Sequence, residues 1–166
     1  MHLFNPALAP RGLVLLGPGG GQDHTSPGVV ARATSLTDRG YAVAVVRSLE
    51  HVPAVLAEHS GPVGFWGLSQ GARIGLPLLA AEPRITAAVL GLADGPITSA
   101  PLVTAAVLFY IQSDDDLVDP DACRALFDAL GSVDKTLLEN RGGHLALPRK
   151  SVGESATWLD RRLAEQ

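Results

Sequence analysis

The chain has 166 residues, of which 46% are hydrophobic and 18% charged, and it carries a formal net charge of −4. Its length predicts a single domain, residues 1–166, that buries roughly two thirds of its unfolded surface, and its composition argues against a disordered or fibrous chain. The acidic balance, without a basic stripe, argues against nucleic acid as a partner. Apolar runs such as Leu13–Leu16 and Ala105–Ile111 are far too short to span a membrane.

No charged segment precedes an apolar core in Met1–Pro6, so no secretory signal is expected. A lone cysteine, Cys123, rules out an internal disulfide framework and suits a reducing compartment, so the cytoplasm is the expected location.

Taken in chain order, short apolar runs alternate with helical segments. Leu13–Leu16 reads as a strand and leads into the glycine cluster Gly17-Pro18-Gly19-Gly20-Gly21. Ser26-Pro27 opens a helix to Arg39, closed by Gly40. Tyr41–Val46 is a valine-rich strand, Val52–Glu58 a short helix and Val63–Trp66 a third strand. A helix follows from about Gln70 to Ala81, then strands at Thr86–Leu90 and Ala105–Ile111. Asp119-Pro120 starts a helix to Leu130, Asp134–Leu138 is the last strand, and Glu154–Ala164 the closing helix.

The six predicted strands are nearly continuous apolar runs, the pattern of strands buried on both faces. An α/β three-layer sandwich is expected, with a mostly parallel, about six-stranded sheet flanked by helices. Such sheets bind ligands beyond the carboxyl ends of their strands. The residues just past each run therefore draw attention: Gly17–Gln22, Arg47, Ser69, Asp94, Asp114–Asp116 and His144.

Ser69 stands in Gly67-Leu68-Ser69-Gln70-Gly71, between a strand and a helix. A turn that sharp forces its central residue into a strained conformation, and the flanking glycines remove collisions with the adjoining strand and helix. A serine hydroxyl needs an adjacent base to act as a nucleophile. His144, after the last strand and behind Gly142-Gly143, is the candidate; His2, His24, His51 and His59 lie near the terminus, in the glycine loop or beside a short surface helix. The imidazole in turn needs a carboxylate to fix its tautomer, and Asp114-Asp115-Asp116 offers three. The chain order Ser–Asp–His agrees with the nucleophile-elbow arrangement. Backbone N–H groups of Gly20, in the glycine loop, and of Gln70 are the candidate oxyanion donors.

With these residues in place the chain resembles the α/β-hydrolases, nearest their dienelactone-hydrolase-like branch, over roughly Leu13 to Leu163. Leu15–Gly21 is similar to the family's His-Gly-Gly-Gly oxyanion segment, with Pro18 where histidine is usual. The family's acid motif, Gly-x-x-Asp-x-x-Val-Pro, selects Asp115, three residues before Val118, although Gln112 replaces its glycine and Asp119 its proline. The resemblance implies a Ser69–His144–Asp115 triad and no cofactor. It also implies a small-molecule acyl substrate and a site with no lid, since Asp94–Thr104 is too short for one. Two strands usual at the N-terminal edge of the sheet are expected to be missing, which would leave that edge as a candidate homodimer surface.

Two other classes compete. The chain could be a binding or assembly protein on a catalytically degenerate hydrolase fold, a reading that Pro18 and the missing edge strands favour. A nucleotide-binding reading rests on Gly17–Gln22 and Arg47, but Gln22 stands where a dinucleotide fingerprint has its third glycine. No metal site is expected, because no histidine or carboxylate pair has ligand spacing. Cys123 and the two tryptophans read as packing residues, Trp66 being near enough to the elbow to shape its base.

Overall fold

The computed structural model describes residues 1–165. Seven strands and five α-helices alternate along the chain: β1 (His2–Phe4), β2 (Gly12–Gly17), α1 (Pro27–Thr37), β3 (Tyr41–Val45), α2 (Val52–Ala57), β4 (Val63–Gly67), α3 (Gln70–Ala81), β5 (Ile85–Gly91), β6 (Ala106–Gln112), α4 (Pro120–Ala129), β7 (Lys135–Asn140) and α5 (Lys150–Ala164). Single 3₁₀ turns at Leu49–His51 and Ala100–Leu102 complete the set.

One sheet holds the strands in the order β1-β3-β2-β4-β5-β6-β7. Every pairing is parallel except β1 with β3. Successive side chains of a strand point to opposite faces, so each apolar run feeds two cores. Leu13, Leu15 and Phe65 pack under α2, α3 and α4 with Val55, Leu76 and Leu126. Val14, Leu16 and Trp66 pack under α1 and α5 with Leu36 and Leu159. This is the three-layer arrangement that the sequence pattern predicts.

The N-terminal edge differs from expectation. His2–Phe4 pairs antiparallel with β3, His2 opposite Val45 and Phe4 opposite Val43, so one strand covers an edge expected to be bare. A three-residue segment has too little apolar alternation to announce itself, and the partner strand supplies its register. The last helix also begins earlier than its sequence suggests, at Lys150 rather than Glu154, because its first turn runs through Gly153, a weak helix former. No described helix is long and apolar enough to cross a membrane.

Chain order places β3 on one side of β2 and β4 on the other, so the sheet reverses its winding between β2 and β4. A crevice opens at such a point beyond the strand ends. Register then aligns the loops: Gly17 pairs with Gly67, and Gln112 with Asn140. The glycine loop leaves the sheet beside Ser69, and the aspartate run leaves it beside the histidine loop.

Candidate active site

Ser69 is the N-cap of α3 with φ 56° and ψ −122°. Among the described residues other than glycine, only Ser69 and Leu92 have positive φ, and both line the cavity described below. Backbone strain of this kind costs on the order of 1–3 kcal/mol and persists only where the surroundings over-determine it. Tight glycine contacts supply that determination. A Cβ on Gly67 would lie 2.5 Å from the Gly71 carbonyl oxygen, and one on Gly71 only 2.2 Å from that of Gly17. The Ser69 N–H donates to the Gly91 carbonyl at 2.9 Å, tying the elbow to β5.

Beside the elbow stands the His144 ring. Ser69 Oγ lies 2.8 Å from His144 Nε2, and His144 Nδ1 lies 2.7 Å from Asp115 Oδ2. The two side chains are nearly sealed from solvent, with 6% and 1% of their surfaces exposed. Burial pushes the Asp115 carboxyl upward, but the N–H groups of Leu117 and Val118 and the His144 ring outweigh it and hold it below the usual carboxylate range. An ionised carboxylate only accepts, so the Nδ1 proton belongs to His144, which leaves Nε2 free to accept from the Ser69 hydroxyl.

The other two aspartates also hold the histidine loop. Asp114 Oδ2 accepts from the Gly142 N–H at 3.1 Å, and Asp116 Oδ1 from the His144 N–H at 3.3 Å. Gln112, at the position where a glycine is usual, donates from Nε2 to the Gly143 carbonyl at 3.3 Å.

The glycine loop is closed by Gln22 rather than by a histidine. Gln22 Oε1 accepts from the Gly19 N–H at 3.0 Å, while the Gln22 N–H donates to the Gly19 carbonyl at 3.1 Å. Among the described residues, the N–H groups of Gly20 and Gly21 have no acceptor. Gln70 opens α3, ahead of any intrahelical acceptor, and its side chain is exposed.

A cavity of about 580 Å³ joins these parts, with Gly20, Ser69 and His144 in its wall. Apolar walls come from Leu68, Leu92 and Leu147, and the strongly exposed Leu117 and Leu145 flank its mouth. Five further polar lining groups were not singled out as site residues from the sequence: Arg32, Tyr110, Ser151, Ser155 and the exposed Arg149. Arg32 did carry a signal, since it shares the buried stripe of α1 with Val29, Ala33 and Leu36. A charge in an apolar stripe is rarely packing alone.

Other residues singled out from the sequence lie elsewhere. Arg47 lines a separate small cleft with Met1 and His51, so it does not join the glycine loop in the cavity. Asp94 pairs with Arg73 on the surface, His2 stacks on His24, and His59 donates to the Val55 carbonyl. Cys123 is buried in α4, and burial pushes its thiol up to about 11, the wrong direction for a nucleophile. Among the described residues no cluster of histidine, cysteine and carboxylate groups could hold a metal ion.

A serine on a strained turn at the switch point of a parallel sheet, with a buried His–Asp pair behind it, is the layout of a hydrolase built on an α/β sheet. No protein-family model and no curated protein matches the chain, but solved structures do. A cold-adapted esterase from an Arctic intertidal metagenomic library is 30% identical, over 97% of this chain and 87% of its own, with a TM-score of 0.86. At 15% identity, where likeness speaks to fold alone, stand two others. The esterase domain of a Rhodothermus marinus protein aligns over 97% of this chain and 92% of its own with a TM-score of 0.79. A monoacylglycerol lipase from Paleococcus ferrophilus aligns over 98% and 100% with a TM-score of 0.72. The chain belongs to the α/β-hydrolase superfamily.

Proposed function

We propose that the protein is a serine hydrolase of carboxylic esters, thioesters or lactones. The observation that carries this reading is the unbroken hydrogen-bonded chain from Ser69 through His144 to Asp115 at the wall of a partly apolar cavity. Its likeness to the Arctic esterase supports ester cleavage as the reaction.

In this mechanism Ser69 Oγ attacks the acyl carbonyl carbon while its proton passes to His144 Nε2. The negative charge that develops on the carbonyl oxygen falls to the N–H groups of Gly20 and Gln70, which have no partner of their own to lose. Collapse breaks the bond to the leaving oxygen or sulfur, which takes the proton from His144, and the acyl group stays on Ser69. Water, deprotonated by His144, then attacks the acyl-enzyme and releases the acid. Asp115 stays ionised throughout and stabilises the imidazolium.

A fluorophosphonate probe tests the first step without knowledge of the substrate. The wild-type protein is expected to be labelled on Ser69, and Ser69→Ala to show no labelling. A folded wild-type protein that resists the probe would leave the fold to a binding or assembly role and sink the hydrolase reading.

A further inference from the structure

The hydrolase reading leaves one feature of its own cavity unexplained. Arg32 is 7% exposed, in the middle of α1, and it lines the same cavity as Ser69 and His144. A guanidinium carries five N–H groups and its charge at any physiological pH. The Arg32 Nε donates to the Gly28 carbonyl at 3.0 Å and Nη2 to Gln22 Oε1 at 3.4 Å, and the group sits 5.9 Å over the Trp66 ring. All of these partners are uncharged. Among the described residues no carboxylate faces it, and Nη1 has no acceptor.

Among the described residues, the orphan polar side-chain atoms sealed away from solvent are Trp66 Nε1, Thr86 Oγ1, Gln112 Oε1 and Asn140 Nδ2. Arg32 Nη1 is not one of them, so its unmet donors open onto the cavity rather than into the core. Burying a cation without a counter-charge costs several kcal/mol, and burial alone lowers this group to about 10, which still leaves it charged at neutral pH. Tyr110 and Ser155 share a hydrogen bond of 3.0 Å and also line the cavity, so its wall carries buried polar groups while Leu117 and Leu145 at its mouth are apolar.

From this we infer that Arg32 is an anion-binding group for the substrate, and that the preferred esters carry a carboxylate, which takes the open N–H groups of the guanidinium while the ester carbonyl lies at Ser69. A guanidinium presents paired donors that match a carboxylate, and the ligand would bring the charge that the fold withholds. The inference rests on the hydrolase reading for the reaction, though not for the binding.

Two pairs of esters test it, one with the charge on each side of the scissile bond: para-nitrophenyl hydrogen glutarate against para-nitrophenyl valerate, and para-acetoxybenzoate against phenyl acetate. In at least one pair the wild-type kcat/KM is expected to favour the anionic member by about tenfold or more. Arg32→Met is expected to erase that ratio, chiefly through KM, and Arg32→Lys to keep part of it. No anionic preference in either pair overturns the inference. So does a ratio that survives in Arg32→Met, including an equal fall for both members, which would make Arg32 only a brace for Gln22. Calorimetric titration with glutarate separates the two readings. If no ester turns over, the hydrolase reading fails, while glutarate binding that is lost in Arg32→Met still upholds the anion site and its absence overturns it.

Discussion

Three consecutive aspartates divide one task at the level of single residues. Asp115 alone reaches the His144 ring, whereas Asp114 and Asp116 reach the backbone of Gly142 and His144. An Asn at Asp115 keeps the shape but can present its N–H₂ to Nδ1, favouring the tautomer in which Nε2 carries the proton and cannot accept from Ser69. Asp115→Asn is therefore expected to lower kcat by about 10⁴-fold. Asp114→Asn and Asp116→Asn keep an acceptor oxygen for the backbone N–H, and their losses are expected to be far smaller, about tenfold or less. Steady-state kinetics on the three single variants decide the matter, and a collapse confined to Asp116→Asn would reassign the acid. In the sequence the three looked interchangeable, because spacing counts residues along the chain and cannot say which side chain turns inward. Only the Val118 position favoured Asp115, and only through resemblance.

At the scale of elements, what the sequence made legible follows from where the physics is local. Six strands and the positions of the helices followed from apolar runs and from glycine and proline punctuation, because burial on both faces leaves a continuous apolar signature. The elbow was legible for the same reason, since its glycines answer to contacts within the strand–turn–helix unit itself. What escaped depends on distant partners: β1 takes its register from β3, and the histidine loop is held by residues 112–116, well before it in the chain. The loop between β2 and α1 is an intermediate case. Its glycines pointed to exposed N–H groups, but the brace that closes it is the Gln22 side chain, itself touched by Arg32. Gln22→Ala removes the acceptor of the Gly19 N–H and frees the loop that presents Gly20. The expected result is a fall in kcat of about 10- to 100-fold with a smaller change in KM, as befits a positioning residue rather than one that binds the ground state. An unchanged kcat would mean that Pro18 and the glycines hold the loop without help.

For the whole molecule, the seam that matters most is the one between α5 and the sheet, because α5 supplies both one wall of the cavity and much of one core. The chain's two tyrosines stitch this seam. Tyr41 of β3 donates to Asp160 Oδ1 at 3.0 Å, and Tyr110 of β6 bonds to Ser155 Oγ at 3.0 Å. Burial, followed by the hydrogen bond to Asp160, pushes the Tyr41 phenol up to about 12, and burial also raises Tyr110. An unfolded tyrosine titrates near pH 10 (about 10), so between there and about 12 the unfolded chain gives up a proton that folded Tyr41 keeps. The unfolded state then binds fewer protons, and stability must fall as pH rises through this window, having been complete below it. Alkaline titration is accordingly expected to show little tyrosinate absorbance near pH 10 (about 10) and then a rise that coincides with loss of near-ultraviolet circular dichroism. In Tyr41→Phe the fall in Tm across the same window should be shallower. Tyrosinate appearing at its ordinary pH while the native signal persists would mean that the sheet–α5 seam admits solvent, and that the cavity wall built on it is looser than its packing indicates.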